Sequence, residues 1–228
     1  MRTLTKEKQS QITPSLALNL LREGNERFTN NLKINRNLLQ QVNETKDGQH
    51  PIAVILSCID SRTSAELIFD QGLGDIFSVR IAGNVLNKDI LGSMEFACKL
   101  AGAKIIVVLG HTRCGAVKGA CEHVQLGHLS GLLSKLGPAM ERTPRPAHLN
   151  GNLYQYVDAV AVNNVHHVID QIAEESNILR EMVDAGQIAI VGGMYDVETG
   201  RVEFFEHPDL CHFENDEATE PAFAGMLS

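Results

Sequence analysis

Two runs of the chain are apolar at every position, Ile52-Ala53-Val54-Ile55-Leu56 and Ile105-Ile106-Val107-Val108-Leu109. A strand with no polar position has no face for solvent. Both runs therefore predict central strands of a parallel sheet covered on both sides. Ile76 to Val79 and Ile188 to Val191 predict two more strands. Arg201 to Phe205, after a Glu198-Thr199-Gly200 turn, predicts an antiparallel edge strand. Helical spacing fills the intervals. Thr13-Pro14 opens a helix, with Thr13 as N-cap, and Leu16, Leu20, Leu21 and Phe28 share its face. A short helix is expected over Leu38 to Val42, and another from an Ser64 cap through Phe69, ended by Gly72 and Gly74. Lys88 to Leu100 reads as a helix with Leu91, Met94 and Cys98 on one side, and Gly115 to Val124 as the next. Tyr154 to Val183 is largely helical, with Val157, Val160, Ala161, Val165, Val168 and Ile172 as its stripe. Gly137 to Asn150 contains three prolines and is expected as a surface connection.

The expected architecture is one α/β domain over 1–228. Residues 1–48 form a helical arm. Residues 49–206 form the core, a mostly parallel sheet of about four strands plus an antiparallel edge strand, flanked by helices. Residues 207–228 form an acidic tail expected to be mobile. A chain of 228 residues can bury a substantial core. The formal charge of −8, with no basic stripe, argues against a nucleic-acid partner. No apolar run approaches a membrane span, and the polar first residues lack the apolar core of a signal peptide. Five cysteines is an odd count that suits a reducing cytoplasm better than a disulfide framework. Cys98 and Cys121 fall in helical patterns as core thiols. Cys211-His212, with His207 a turn earlier, reads either as a second metal site or, in the favoured reading, as a loose carboxy-terminal segment.

Chemistry gathers where the two central runs stop. One ends in Ser57-Cys58-Ile59-Asp60-Ser61-Arg62, the other in Gly110-His111-Thr112-Arg113-Cys114-Gly115. In parallel sheets ligands collect at the carboxyl ends of strands, where the topology switches. Cys58, His111 and Cys114 are then a zinc set with one coordination position left over. A fourth protein ligand would make the metal structural; a water would make it catalytic. Asp60 is close enough to Cys58 to reach zinc or its water, and Arg62 could hold that carboxylate in a bidentate pair. The alternative is a buried Asp-Arg pair beside a structural zinc. The helix beginning at Gly115 turns its free N–H groups toward the same place, which favours anions there.

Together these segments resemble the β-class carbonic anhydrases. The Cys-x-Asp-Ser-Arg segment stands as Cys58 to Arg62 and the Gly-His-x-x-Cys-Gly segment as Gly110 to Gly115. Between them Phe77 to Asn84 and Gly92 to Ala97 look like family segments, and Gly192 to Val197 adds weaker support. The resemblance implies zinc on Cys58, His111 and Cys114 and reversible hydration of carbon dioxide to bicarbonate. Zinc lowers the pKa of a bound water to about 7, so a nucleophile exists at neutral pH. Asp60, kept ionised by Arg62, would aim it. Gln49 matches a substrate-orienting glutamine, Phe77 and Ala82 an apolar wall, and the Gly115 N–H an oxygen contact. In the family the glutamine and the aromatic come from a partner subunit, and the arm packs across a neighbour. A homodimer or dimer of dimers is therefore implied. Some bacterial members close the site by binding the aspartate to zinc, coupled to a bicarbonate pocket of Trp, Arg and Tyr. The matching positions here are Ile55, Arg80 and Tyr195, and the chain has no Trp. The expectation is an open site, with Asp60 on zinc only if the site closes, and a structural ion pair for Arg80. Two other readings stand beside hydration: hydrolysis of carbonyl sulfide or carbon disulfide on the same fold, and a non-catalytic structural-zinc scaffold.

Overall fold

The apolar runs form the middle of a five-stranded sheet. The computed structural model describes residues 3–145, 153–207, 209–211 and 213. Its strands are β1 (Ala53–Ser57), β2 (Ile76–Arg80), β3 (Ile105–His111), β4 (Ala189–Tyr195) and β5 (Val202–Glu206). They lie in the order β2-β1-β3-β4-β5, parallel except for β5, which runs antiparallel along β4. The chain steps outward from β1 to β2 and then back across β1 to β3. The switch point thus falls between β1 and β3, both of which, like β4, are buried at every residue.

The helices are α1 (Lys6–Ser10), α2 (Pro14–Thr29), α3 (Leu38–Thr45), α4 (Ala65–Ile68), α5 (Lys88–Glu95), α6 (Gly115–Cys121), α7 (Gly127–Leu133), α8 (Gly137–Glu141), α9 (Leu153–Glu175) and α10 (Asn177–Asp184). Side-chain alternation splits the core into two layers. Val54, Leu56, Ile106 and Val108 face α5, α6, α9 and α10; Ala53, Ile55, Val107 and Leu109 face α2 and α4. The layer holding α9 is unusually tight. A Cβ on Gly110 would fall 2.6 Å from Met194 Sδ, and one on Gly192 would fall 2.7 Å from Val165 Cγ1.

Several local expectations change. Thr13 does cap α2, accepting from the Leu16 N–H. Ser64 stands at the cap position of α4 but its hydroxyl turns to Glu66 instead. The helix expected over Lys88 to Leu100 becomes α5 followed by a π-helical turn, Phe96–Leu100. β4 continues past Val191 through Gly192 and Gly193, which the apolar pattern could not carry. The proline-bearing connection holds α8, with Ala139 and Thr143 buried, and residues 146–150 lie outside the described residues. Leu210 is buried, its carbonyl accepts the Ile190 N–H at 3.0 Å, and Cys211 Sγ donates to the Ile190 carbonyl at 3.0 Å. The start of the expected tail is thus packed along β4; His212 and residues 214–228 lie outside the described residues. The arm divides. α2 buries Ala17, Leu18, Leu20 and Leu21 on its own sheet, whereas Leu38, Leu39 and Val42 of α3 remain 54%, 72% and 49% exposed.

Candidate metal centre

Cys58 follows the last residue of β1, and His111 is the last residue of β3, one strand across the switch point. Cys114 stands at the N-cap of α6. Between the latter two, Arg113 adopts a left-handed φ of 55°, and this turn brings residues three apart to one point. The sulfur of Cys58, a ring nitrogen of His111 and the sulfur of Cys114 lie within 4.8 Å of one another, all buried.

The donor set fits zinc. Two zinc–sulfur bonds of about 2.3 Å at a tetrahedral angle put the sulfurs about 3.8 Å apart; here they are 3.9 Å apart. His111 Nδ1 lies 2.9 Å from the Thr112 carbonyl, so that nitrogen carries the proton and Nε2 keeps a lone pair. Nε2 is buried without a hydrogen-bond partner among the described residues. A buried acceptor left so is costly unless a cation meets it. The thiols make the same demand. Hydrogen bonding to Cys114 draws the Cys58 thiol well below the usual thiol range, while that bond and burial push the Cys114 thiol up. A divalent cation between the two sulfurs would let both be thiolates.

The Cys58 loop is held from several sides. Thr63 Oγ1 lies 2.9 Å from the carbonyls of both Cys58 and Asp60. Arg80 donates from Nε to the Cys58 carbonyl at 3.0 Å and from Nη2 to the Asp60 carbonyl at 2.6 Å. The ion pair expected of Arg80 is therefore replaced by a clamp on backbone carbonyls. Gly83 donates its N–H to Cys58 Sγ at 3.3 Å. Asp60 itself is gripped by Arg62, with Nε 2.9 Å from Oδ1 and Nη2 2.8 Å from Oδ2. That guanidinium holds the Asp60 carboxyl well below the usual carboxylate range.

The other predicted residues separate into two groups. Ala82 opens a tight turn, Ala82–Asn84, beside the Gly83 contact to Cys58, and Gly115 is exposed at the start of α6. Gln49 is exposed ahead of β1, at the opposite end of a strand that spans about 17 Å. Phe77 lies in β2 opposite Val54 and packs edge-on to Phe96 at 6.2 Å. Within one chain neither reaches the triad. Ile55 is wholly buried in the layer opposite Cys58, and Tyr195 pairs with His111 in register.

Sequence reasoning missed Gly83, Thr63, Asp158 and Asn164. Asp158 Oδ1 accepts the Arg113 N–H at 2.7 Å, and Asn164 Nδ2 donates to the Gly83 carbonyl at 2.9 Å. One signal was available: Asn164 is a polar residue seven positions after Val157, on the apolar stripe of α9.

The family model for carbonic anhydrases matches residues 53–202. The chain is 38% identical over 199 residues to carbonic anhydrase 2 of Mycobacterium tuberculosis, covering 85% of this chain and 94% of that one. It is 36% identical over 198 residues to a carbonic anhydrase of Mycolicibacterium smegmatis, with the same shares covered. Among solved structures, the β-carbonic anhydrase CafA of Aspergillus fumigatus superposes with a TM-score of 0.63 at 27% identity, over 84% of this chain and 89% of that one. A tetrameric β-carbonic anhydrase of Sordaria macrospora gives 0.65 at 22% identity, over 83% and 94%, a likeness of fold.

Proposed function

From the premise that this chain belongs to the β-class carbonic anhydrases and hydrates carbon dioxide reversibly to bicarbonate, we propose which residues do the work. Cys58, His111 and Cys114 hold the zinc. The observation that carries this assignment is the buried triad itself, with tetrahedral sulfur spacing and an unpartnered His111 Nε2. When bound, zinc supplies a Lewis acid that brings a water molecule's pKa to about 7. Asp60 stays ionised under Arg62 and accepts a hydrogen bond from the attacking oxygen, turning its lone pair to the carbon of the substrate. Ala82 gives the substrate an apolar wall, and the Gly115 N–H donates to the oxygen that gains charge. Gln49 and Phe77 complete the slot from a partner subunit, which accounts for their distance from the triad of their own chain. The test is Cys58→Ser: zinc content and stopped-flow hydration should both be lost. A variant that keeps one zinc per chain contradicts the ligand assignment.

The resting site is open, with Asp60 on Arg62 and off the metal. Both carboxylate oxygens are already committed to the guanidinium, and Ile55 offers no ring or N–H where closing members have tryptophan. The whole chain acts as one catalytic domain in a homodimer or dimer of dimers, with α3 as the part of the 1–48 arm that meets a partner, since α2 packs on its own sheet. The half-exposed edge strand β2 and the bare apolar side of α3 favour that assembly. No described helix is long and apolar enough to cross a membrane. A reducing cytoplasm is the compartment that keeps both zinc thiolates available.

A further inference from the structure

α9 lies against the sheet layer that carries both zinc thiols, and two of its polar side chains leave it for the two ligand loops. Asn164 is 1% exposed, and its Nδ2 donates to the Gly83 carbonyl at 2.9 Å. The N–H of the same Gly83 donates to Cys58 Sγ at 3.3 Å. Gly83 has a φ of +68°, a left-handed conformation that only glycine adopts without cost. Asn164 thus fixes the carbonyl of a residue whose own N–H is aimed at the sulfur. Six residues earlier, Asp158 Oδ1 accepts the Arg113 N–H at 2.7 Å. Arg113 is the left-handed residue of the turn between His111 and Cys114. Asp158 thereby secures the bend that makes those two ligands converge.

Asn164 gains little for the fold from being polar. Its Oδ1 is buried without a partner among the described residues, on a stripe where its neighbours Val157, Val160, Ala161, Val165 and Val168 are buried and apolar. Among the described residues its side chain's one hydrogen bond goes to the loop that faces the sulfur. We propose that Asn164 and Asp158 are positioning residues of the metal centre, α9 holding the Cys58 loop through Gly83 and the His111–Cys114 turn through Arg113. This rests on the reading that the triad binds zinc.

The test measures zinc affinity by chelator competition, together with the absorption spectrum of the cobalt-substituted protein. Both are read on the full chain and on Asn164→Ala, Asp158→Ala and Asp158→Asn, with circular dichroism as the check on folding. Partners around the ligands typically govern metal affinity by about 10- to 100-fold, so both alanine variants should bind zinc that much more weakly. Their thiolate-to-cobalt bands should shift. Asp158→Asn keeps an oxygen acceptor for the Arg113 N–H while removing the charge, and should retain near-native affinity and spectrum. Folded alanine variants with native zinc affinity and an unchanged cobalt spectrum overturn the proposal, as does an Asp158→Asn variant as weak as Asp158→Ala. If buried Asn164→Ala fails to fold, the half-exposed Asp158 decides alone by the same criteria. A wild-type chain that binds no zinc contradicts the metal assignment itself, a result distinct from all of these.

Discussion

At the scale of single residues the proposed mechanism turns on a carboxylate, Asp60, that must stay charged and must not wander. Arg62 meets both needs, because a bidentate guanidinium favours the ionised form and fixes its plane. The Asp60 side chain is 18% exposed while that of Arg62 is 49% exposed, so the acid points inward and its partner remains half in water. Asp60→Asn keeps the size but removes the charge. Its kcat/KM should fall by about two orders of magnitude or more, with one zinc still bound per chain; stopped-flow hydration with metal analysis reads both, and a rate close to wild type would remove Asp60 from the mechanism. The convergence of Cys58, His111 and Cys114 and the pairing of Asp60 with Arg62 were legible in the sequence because each depends on short spacing at or just past the end of a central strand. Asn164 and Gly83 were not, since their contact spans 81 positions and no local pattern carries it.

At the scale of elements, one buried carboxylate ties the arm to the core. Asp70, just past α4, accepts from Arg27 Nε of α2 at 2.6 Å and from Arg36 Nη1, before α3, at 2.5 Å. Burial pushes the Asp70 carboxyl up, but the hydrogen bonds from Arg27 and Arg36 outweigh it and hold the group below its ordinary value. Asp70→Asn tolerates the positive φ of 45° at this position yet takes the counter-ion from buried Arg36 and leaves Arg27 with only its 4.0 Å pair to Glu23. Breaking a buried pair costs about 3–5 kcal/mol, and urea unfolding at pH 7 should read a loss of that order. A lowered folded pKa gives stability that is present above the unfolded value of about 3.9 and lost as pH falls through the folded one. The gap between wild type and variant should therefore hold at neutral pH and shrink below about pH 4; a gap that does not change with pH would place the cost elsewhere. The strands β1 and β3 were legible because burial on both faces leaves no polar position. The second half of β4 was not, because Gly192 is set by the close approach of α9 and Gly193 by Leu109 and Val202 on the neighbouring strands rather than by any strand preference. The π-helical turn after α5 likewise leaves no mark in apolar spacing.

At the scale of the molecule, the site of a single chain is incomplete in the proposed reading. Gln49 and Phe77 stand away from the triad, and Leu38 and Leu39 of α3 leave most of their surface exposed. Leu39→Glu places a charge on that surface without touching the core. It should shift the protein toward monomer in sedimentation velocity, with unchanged circular dichroism and a reduced hydration rate. A fully active monomer at micromolar concentration would contradict the shared site. The account as a whole is tested most directly by a crystal structure of the zinc-loaded protein near pH 7.5. It predicts zinc about 2.3 Å from the sulfurs of Cys58 and Cys114 and about 2.0–2.1 Å from His111 Nε2, a non-protein fourth ligand, and Asp60 still paired with Arg62. Asp60 bound to zinc at about 2.0–2.2 Å with that pair broken, or a metal held by other residues, would contradict it.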